Sequence, residues 1–299
     1  MKIAFIYAYR PDEIWSTPLS LATEFQNRGH EVNIYSTISS TGNFTEAGIK
    51  MLLDECNAGK APDIIIYMDW GRFDSPLLDK SLYPKAYWVT EMGDEIQNFQ
   101  RNFPRSNRFD ICLTPDYRCE KMYKDAGRNA IFFSHWADTC IHYPMNIPDK
   151  YDAVSTRGHG SSNILDWLSS DLGDKFHNKA GYDGIKHSEA LQEGKLVVQH
   201  SRHGEITRRI FEAMACGKMV LTDRLDLTTH LQDLFEEGKE IIFYDDYWDC
   251  HEKIQYYASH DEARERIAHA GQDKVLKEHT QYQRVNTILE HYKKWKNSQ

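Results

Sequence analysis

Short apolar segments alternate with longer segments of mixed polarity along the first half of the chain. Runs rich in isoleucine, valine and aromatic residues predict β-strands at residues 2–8, 32–36, 63–68, 85–89, 109–113 and 130–133. Helices are expected between them, because Thr17 and Pro18 are typical of a helix start and Gly29 of a helix end. A second clear helix is expected over residues 114–126, ending at Gly127. This alternation predicts an α/β fold with a doubly wound parallel sheet.

The second half repeats the alternation with a smaller set of strands. Apolar runs predict strands at residues 151–155, 195–199, 218–222 and 240–244, and a helical tail from Asp261. Between the halves, prolines flank a turn-rich segment at residues 143–150, which is typical of a linker. We therefore expect two domains, at residues 1–147 and 148–280, and a terminal helix at residues 281–299. A chain of 299 residues is long enough for two such domains.

Residues 205–223 carry the most informative pattern. A polar loop follows an apolar run, Thr207 is placed to cap a helix, Gly217 is placed to end it, and a second apolar run comes next. Strand, loop, helix and strand form the crossover unit of a parallel sheet, in which ligands bind at the carboxyl ends of strands. Arg208 and Arg209 oppose the helix dipole in the first turn, which indicates an anion nearby. A surface helix with solvated side chains is the alternative.

The sequence RIFEAMACG within this segment resembles the donor-binding segment of GT-B glycosyltransferases, especially the CgeB-like branch of glycosyl transferases family 1. Further segments follow in the order of that family: HEV at 30–32, FDICLTPD at 109–116, HWADTCIHYP at 135–144 and HTQYQRVNTIL at 279–289. The resemblance covers nearly the whole chain. It implies two Rossmann-like domains, a nucleotide-sugar in the second, and a C-terminal helix that crosses back onto the first. It also implies that Glu212 holds the donor ribose.

One position departs from the family pattern. Many retaining members carry two glutamates separated by seven residues, and the earlier glutamate contacts the donor sugar. Here that position is Gly204, and Glu205 follows one residue later. The resemblance therefore leaves the sugar contacts, and the choice between retaining and inverting chemistry, open.

Basic side chains in the second half are candidate ligands for a donor diphosphate. A glycine-rich segment, RGHGSSN, follows the strand at residues 151–155, and its backbone N–H groups are suited to an anion. An ordinary flexible turn is the alternative for this segment. The predicted donor-binding residues are Arg157, Gly158, Lys186, Arg202, Glu205, Arg208, Arg209 and Glu212. A UDP-sugar is the expected donor, with no other cofactor.

Inverting glycosyl transfer also needs a base that deprotonates the acceptor. Asp12, Asp69 and Asp94 each follow a predicted strand of the first half, at the sheet edge where ligands bind. They are the candidate catalytic residues, and a helix cap or a solvated carboxylate is the alternative for each. The histidines near Glu205 match no helix-borne ligand pair. Because members of the family usually need no metal, we expect metal-independent chemistry.

Composition limits the partners. The net charge of −9 argues against nucleic-acid binding by bulk electrostatics. The six cysteines show no CxxC spacing, which is typical of reduced thiols in a cytoplasmic protein. Since no apolar run approaches membrane-spanning length, we expect no membrane insertion.

These observations favour a glycosyltransferase that moves a sugar from a nucleoside-diphosphate sugar to an acceptor hydroxyl. The acceptor is open among a glycan, a protein, a small molecule and a hydroxymethylated base of phage-type DNA, and the acidic balance weighs against DNA. Two alternatives share the fold. The first is a non-catalytic structural or binding protein, which the departure at Gly204 favours. The second is a sugar-nucleotide epimerase.

Overall fold

The computed structural model describes residues 1–10, 16–68, 73–91, 96–157 and 163–299, and it divides the chain into two compact units. Unit 1 comprises Met1–Ser134 and Tyr282–Gln299, and unit 2 comprises His135–Gln281. The sequence-based boundary at residue 147 lies inside unit 2. The segment before it packs with unit 2 because Ser188 Oγ donates a hydrogen bond to the Ile141 carbonyl at 2.8 Å.

Unit 1 is built on a parallel sheet. Its strands are β1 (Lys2–Tyr7), β2 (Glu31–Ser36), β3 (Ile64–Tyr67), β4 (Tyr87–Glu91), β5 (Ile111–Thr114) and β6 (Ala130–Phe132). They pair in the order β2-β1-β3-β4-β5-β6, and each pairing is parallel. The helices are α1 (Thr17–Asn27), α2 (Ala47–Asn57), α3 (Phe99–Asn102) and α4 (Tyr117–Asp125). All residues of β3 are buried, as expected for a central strand covered on both faces.

Helix α4 begins later than the sequence predicts. The expected start was at Thr114, but Thr114 ends β5, and the helix runs from Tyr117. Asp116 is the residue that caps it, because the carboxylate accepts the Arg118 backbone N–H at 2.8 Å. The predicted end is confirmed, since Gly127 has a left-handed φ of 74° just beyond the helix.

Unit 2 repeats the architecture with a second parallel sheet, of order β11-β10-β9-β7-β8. Its strands are β7 (Tyr151–Arg157), β8 (Phe176–Ala180), β9 (Gly194–Gln199), β10 (Met219–Asp223) and β11 (Ile242–Tyr244). Its helices are α5 (Asn163–Leu172), α6 (Gly184–Gln192), α7 (Arg208–Ala215), α8 (Leu231–Leu234), α9 (Tyr247–Ser259) and α10 (Asp261–Glu278). The sequence analysis missed β8, because this edge strand, FHNKA, is mostly polar and lacks an apolar run.

The two faces of the second sheet carry separate apolar cores. On β9, Val197 packs into the core that includes residues of α7, whereas Leu196 and Val198 pack into the core that includes residues of α5 and α9. Alternation along β7 repeats this division, with Val154 on the first face and Ala153 on the second. Helices α7 and α5 therefore lie on opposite faces of the sheet.

The last helix, α11 (Gln281–Asn297), packs against unit 1. The Tyr87 ring of β4 lies 6.1 Å from the Tyr292 ring and 5.2 Å from the Trp295 ring, measured between centroids. The Tyr292 hydroxyl donates to Asp63 at 3.3 Å. The chain thus returns to its first unit, as the family resemblance implies. In the described part of the chain, no helix combines the length and apolar character of a membrane span.

We predict that Tyr292→Ala destabilises unit 1 by about 3 kcal/mol, because it removes a buried aromatic ring that packs on β4. The loss of stability is measured by hydrogen exchange with mass spectrometry. The backbone amides of β3 and β4 should exchange faster in the variant than in the wild type. Lys293→Ala is the matched control, since Lys293 is exposed on the same helix and its loss should change stability by no more than about 0.5 kcal/mol. Equal exchange in both variants would contradict the packing of α11 on unit 1.

Candidate functional site

Helix α7 places a buried glutamate near the carboxyl ends of the central strands of unit 2. The helix follows β9 and its loop, and Thr207 precedes it with an extended backbone, φ −103° and ψ 150°. Ile210, Phe211 and Met214 pack into the core beside the sheet. Glu212 lies on the same helix and its side chain is only 8% exposed. A buried carboxylate needs compensating partners, so its neighbours define the site.

Three side chains from different elements surround the Glu212 carboxylate. Arg208, one turn earlier on α7, has Nη2 3.0 Å from Oε1. His142, from the segment before β7, has Nε2 3.7 Å from Oε1, and His187 of α6 has Nδ1 3.7 Å from Oε2. The arginine is within hydrogen-bond distance, whereas the two imidazoles lie beyond it. We call Glu212, Arg208, His142 and His187 the glutamate cluster.

The glutamate cluster contains an ionised carboxylate beside neutral imidazoles. Burial alone would raise the pKa of Glu212, but Arg208, the two histidines and Arg209 together lower it to about 2. Burial lowers the pKa of His142 and of His187 below the ordinary value of 6.5, and the nearby Glu212 charge offsets only part of that effect. At neutral pH the cluster therefore presents one negative charge, the Arg208 cation and two uncharged rings.

Arg209 forms a rigid cationic link between the two central strands. Its Nη1 donates to the Thr156 carbonyl of β7 at 3.0 Å, and its Nε donates to Gln199 Oε1 of β9 at 3.0 Å. The Thr156 hydroxyl also lies 2.7 Å from His187 Nε2, which fixes the orientation of that ring. Burial lowers the pKa of Arg209 from its ordinary value. Thr156 therefore joins Arg209 to the glutamate cluster.

Glu205 is engaged by its own loop. Its Oε2 accepts hydrogen bonds from Ser201 Oγ at 2.9 Å and from the His203 backbone N–H at 2.7 Å. Gly204 has a left-handed φ of 70°, a conformation that disfavours any residue with a β-carbon. The backbone of this loop thus gives a physical reason for the absence of a glutamate at position 204.

A second polar network fixes this loop to the neighbouring strand ends. The Ser201 backbone N–H donates to Asp223 Oδ1 of β10 at 3.0 Å. His200 Nδ1 lies 2.8 Å from the Tyr244 hydroxyl of β11, which donates to the Gln199 carbonyl at 3.1 Å. Burial raises the pKa of Asp223, and His200 opposes that shift. The loop is therefore attached to three adjacent strands.

The structure brings some of the sequence-predicted residues together and leaves others apart. Arg208, Arg209 and Glu212 are neighbours on α7, whereas Lys186 on α6 and Arg202 in the loop are exposed. Apart from Glu205, the side chains of the other predicted site residues are not described. Arg157 ends β7 but its side chain is outside the described part, and Gly158 and the three candidate bases, Asp12, Asp69 and Asp94, lie outside the described residues. Their roles stay predictions.

The sequence analysis missed both histidines of the glutamate cluster. His142 occurs in HWADTCIHYP, a segment that carries the family resemblance, so its position was a signal; His187 in α6 had none. Together with Glu212 they offer ligand atoms within 4.8 Å of one another, the residue types that bind zinc. Arg208 already compensates the carboxylate at 3.0 Å, and its positive charge opposes the binding of a metal cation.

Comparisons with known proteins agree with this architecture. Residues 148–290, slightly less than half of the chain, match the family model described as Glycosyl transferase-like. No curated protein sequence matches the chain. Sucrose-phosphate synthase from Thermosynechococcus elongatus is 11% identical, with a TM-score of 0.68 over 100% of both chains.

Two further solved structures are informative. Anabaena HepE in complex with UDP and glucose is 12% identical, with a TM-score of 0.67 over 98% of this chain and 100% of that one. A putative UDP-N-acetylglucosamine 2-epimerase from Listeria monocytogenes is 14% identical, with a TM-score of 0.61 over 100% of this chain and 97% of that one. At these identities the similarity establishes the two-domain α/β fold of GT-B glycosyltransferases. The family match covers residues 148–290, and the structural similarity extends the agreement to the fold of the whole chain.

We predict that acidification destabilises the protein partly through the two imidazoles of the glutamate cluster. Below the ordinary histidine pKa of 6.5, the unfolded chain binds protons that the folded His142 and His187 resist, because their folded pKa values are lowered. The unfolded state then binds more protons, so stability falls as the pH falls. Melting temperatures at about pH 7.5 and about pH 5.5 should differ less in the His142→Gln/His187→Gln variant than in the wild type.

His269→Gln is the control, since His269 is exposed on α10. Its change in melting temperature between the two pH values should equal that of the wild type. An unaltered pH dependence in the double variant would show that the two imidazoles do not resist protonation.

Proposed function

We propose that the protein transfers a sugar from a nucleoside-diphosphate sugar, with UDP as the nucleotide, to an acceptor hydroxyl. The observation that carries the proposal is an ionised, buried glutamate near the carboxyl ends of parallel strands, within the segment that matches the Glycosyl transferase-like model. Structures of the similar Anabaena HepE were determined with UDP and with UDP-glucose. Ligands of open α/β sheets bind at this edge.

In this proposal Glu212 accepts hydrogen bonds from the ribose hydroxyls. Its Oε1 faces Arg208, and its Oε2 lies 3.7 Å from His187 Nδ1. That separation is too long for a direct hydrogen bond. A ribose hydroxyl placed between them would donate to Oε2 and accept from Nδ1–H, with both bonds of ordinary length. A carboxylate whose pKa is about 2 remains an acceptor at neutral pH.

The basic residues of unit 2 neutralise the diphosphate. Arg209 is suited to this role because two strands hold its guanidinium, so little side-chain entropy is lost on binding. Arg208, Lys186, Arg202 and Arg157 are the other proposed contacts. A fixed cation near the leaving group stabilises the charge that develops as the sugar departs.

The general base and the acceptor are proposed as sets of candidates. We propose Asp12, Asp69 or Asp94 as the general base of an inverting reaction, and we propose that the chain is a member of the CgeB-like branch. The acceptor is a hydroxyl of a glycan, a protein, a small molecule or, with less support given the charge of −9, a hydroxymethylated DNA base. We also propose a cytoplasmic location, because the six cysteines show no CxxC spacing.

A sugar-nucleotide epimerase is the second candidate function. It is favoured by the similarity to the putative UDP-N-acetylglucosamine 2-epimerase from Listeria monocytogenes over nearly the whole of both chains. Both reactions use a nucleotide-sugar, so binding of the nucleotide does not separate them. They differ in product, because an epimerase returns the sugar in altered form whereas a transferase gives it to an acceptor.

We predict that Glu212→Gln weakens UDP binding by about 1.5 to 3 kcal/mol, because the charge-assisted hydrogen bonds to ribose become neutral ones. Calorimetric titration of UDP, GDP and dTDP measures the change. Glutamine keeps the size of the side chain, so the helix packing is preserved. Melting temperature is recorded in parallel, since the variant leaves the Arg208 charge uncompensated.

Glu189→Gln provides the matched control, because Glu189 is an exposed glutamate on α6. It removes the same charge from an exposed position on α6 and should leave the dissociation constants unchanged. Unaltered affinity of a folded Glu212→Gln variant for all three nucleotides would exclude Glu212 from the ribose site.

Turnover should survive EDTA, because the arginines and lysine of unit 2 neutralise a diphosphate without a metal ion. Release of UDP from UDP-glucose is followed with and without chelator, on protein whose metal content has been measured. Loss of release with EDTA and its recovery with magnesium or manganese would contradict the prediction. It would then direct attention to the imidazoles and carboxylate of the glutamate cluster as metal ligands.

A further inference from the structure

Helices α5 and α9 form an exposed aromatic cavity on unit 2. The cavity has a volume of about 280 Å³ and is lined by Trp167, Ser170, Asp171, Tyr247 and Trp248. Trp167 is 56% exposed and Trp248 is 68% exposed. These two indoles line one cavity, so they form a local apolar patch and are not singly scattered hydrophobic residues. We call this feature the aromatic cavity.

The helices fix the positions of these side chains. Trp167, Ser170 and Asp171 are spaced three and four residues apart, so they share one face of α5. Tyr247 and Trp248 are the first two residues of α9, whose N-terminus is secured by the Asp246 carboxylate accepting the Asp249 backbone N–H at 2.9 Å. The cavity is therefore built on regular helices.

The three rings form walls that face in different directions. The Trp167 and Tyr247 ring planes are perpendicular, at 90°, with centroids 5.8 Å apart. The Tyr247 and Trp248 planes make an angle of 74°, with centroids 4.9 Å apart. Since all three rings line one cavity, a guest inside it contacts several rings at once, and the face of each ring is electron-rich.

The electrostatics of the aromatic cavity favour a cation. Asp171 is one of its lining residues and accepts a hydrogen bond from the Tyr247 hydroxyl, a neutral group that does not cancel the carboxylate charge. Among the described residues, those that line the cavity include no lysine or arginine. Asp171 also lies in the last turn of α5, where the helix dipole adds partial negative charge.

The aromatic cavity is separate from the glutamate cluster. Helices α5 and α9 cover one face of the second sheet, and α7, which carries Glu212, covers the other. The proposed donor contacts therefore do not use these aromatic rings, and the two sites can be tested independently.

We propose that the aromatic cavity binds a small quaternary ammonium cation such as choline. A trimethylammonium group has no N–H to donate, so it needs no set of hydrogen-bond acceptors. It combines apolar methyl groups, which pack on indole faces, with a permanent positive charge that interacts with ring quadrupoles and with Asp171. The volume of about 280 Å³ is just below the range of about 300 to 1,000 Å³ of drug-sized sites, as expected for a smaller ligand.

A neutral sugar is the competing ligand, because pyranose rings also stack on tryptophan. A pyranose that stacks on tryptophan lies flat on one indole face, and its hydroxyl groups then need several hydrogen-bonding partners around the ring. Here the rings are steeply inclined to one another, so a flat pyranose cannot stack on all of them at once. The polar groups of the lining are the two indole N–H donors, Ser170, Asp171 and the Tyr247 hydroxyl, which Asp171 already engages. The arrangement therefore favours the cation.

Titration of choline chloride into the full-length protein, followed by saturation-transfer NMR on the choline methyl signal, tests the proposal. We expect saturable binding that Trp167→Ala and Trp248→Ala each weaken by about 2- to 30-fold. Asp171→Asn should weaken it by a few-fold. The neutral isostere 3,3-dimethylbutan-1-ol, in which carbon replaces nitrogen, should bind about tenfold more weakly than choline.

Tyr256→Ala is the matched control, since Tyr256 is 49% exposed on the same helix but outside the cavity, and it should bind choline like the wild type. Nε-trimethyl-lysine, compared with choline, distinguishes a modified side chain from a free small cation. UDP affinity should be unchanged in Trp248→Ala, so this test stands apart from that of the donor site. Equal binding of the isostere, stronger binding of methyl glucoside than of choline, or no saturable choline binding would overturn the proposal.

Discussion

The burial of one negative charge on α7 is the constraint around which unit 2 is organised. A carboxylate that is 8% exposed is tolerated only when nearby groups compensate the loss of hydration, and Arg208 does so from one helical turn away. The two imidazoles complete the enclosure in their neutral form. Removing the arginine would leave the carboxylate uncompensated, so α7, α6 and the segment before β7 depend on the same interaction.

Parallel crossovers explain why these groups meet. Each strand of the second sheet ends at the same edge, so β7 contributes Thr156, β9 contributes Gln199, and the loop after β9 leads directly into α7. Arg209 is hydrogen-bonded to both strands at this edge. Because Glu212 follows on the same helix, its position is fixed by the sheet and does not depend on a flexible loop. Helices α5 and α9 cover the opposite face of the same sheet, and their outer residues form the aromatic cavity.

Much of the fold was predictable from the sequence, and less of the site. Apolar runs predicted the central strands because those strands are buried on both faces, whereas the polar edge strand β8 had no such run. Glu212 was singled out by the resemblance to GT-B glycosyltransferases, and Arg208 and Arg209 by their position in the first turn of the predicted helix. His142 and His187 were missed because they reach Glu212 through tertiary packing, which no local pattern encodes. The left-handed backbone of Gly204 likewise becomes visible only in the structure.

The most direct test of the account is incubation of the protein with a panel of UDP-, GDP- and dTDP-sugars, following both free nucleotide and sugar identity by NMR. A glycosyltransferase with the proposed donor site should release UDP slowly from a UDP-sugar in the absence of acceptor, with the sugar otherwise unaltered. Conversion of the sugar into its epimer would establish the epimerase instead. Failure to bind any member of the panel would contradict a nucleotide-sugar site at Glu212.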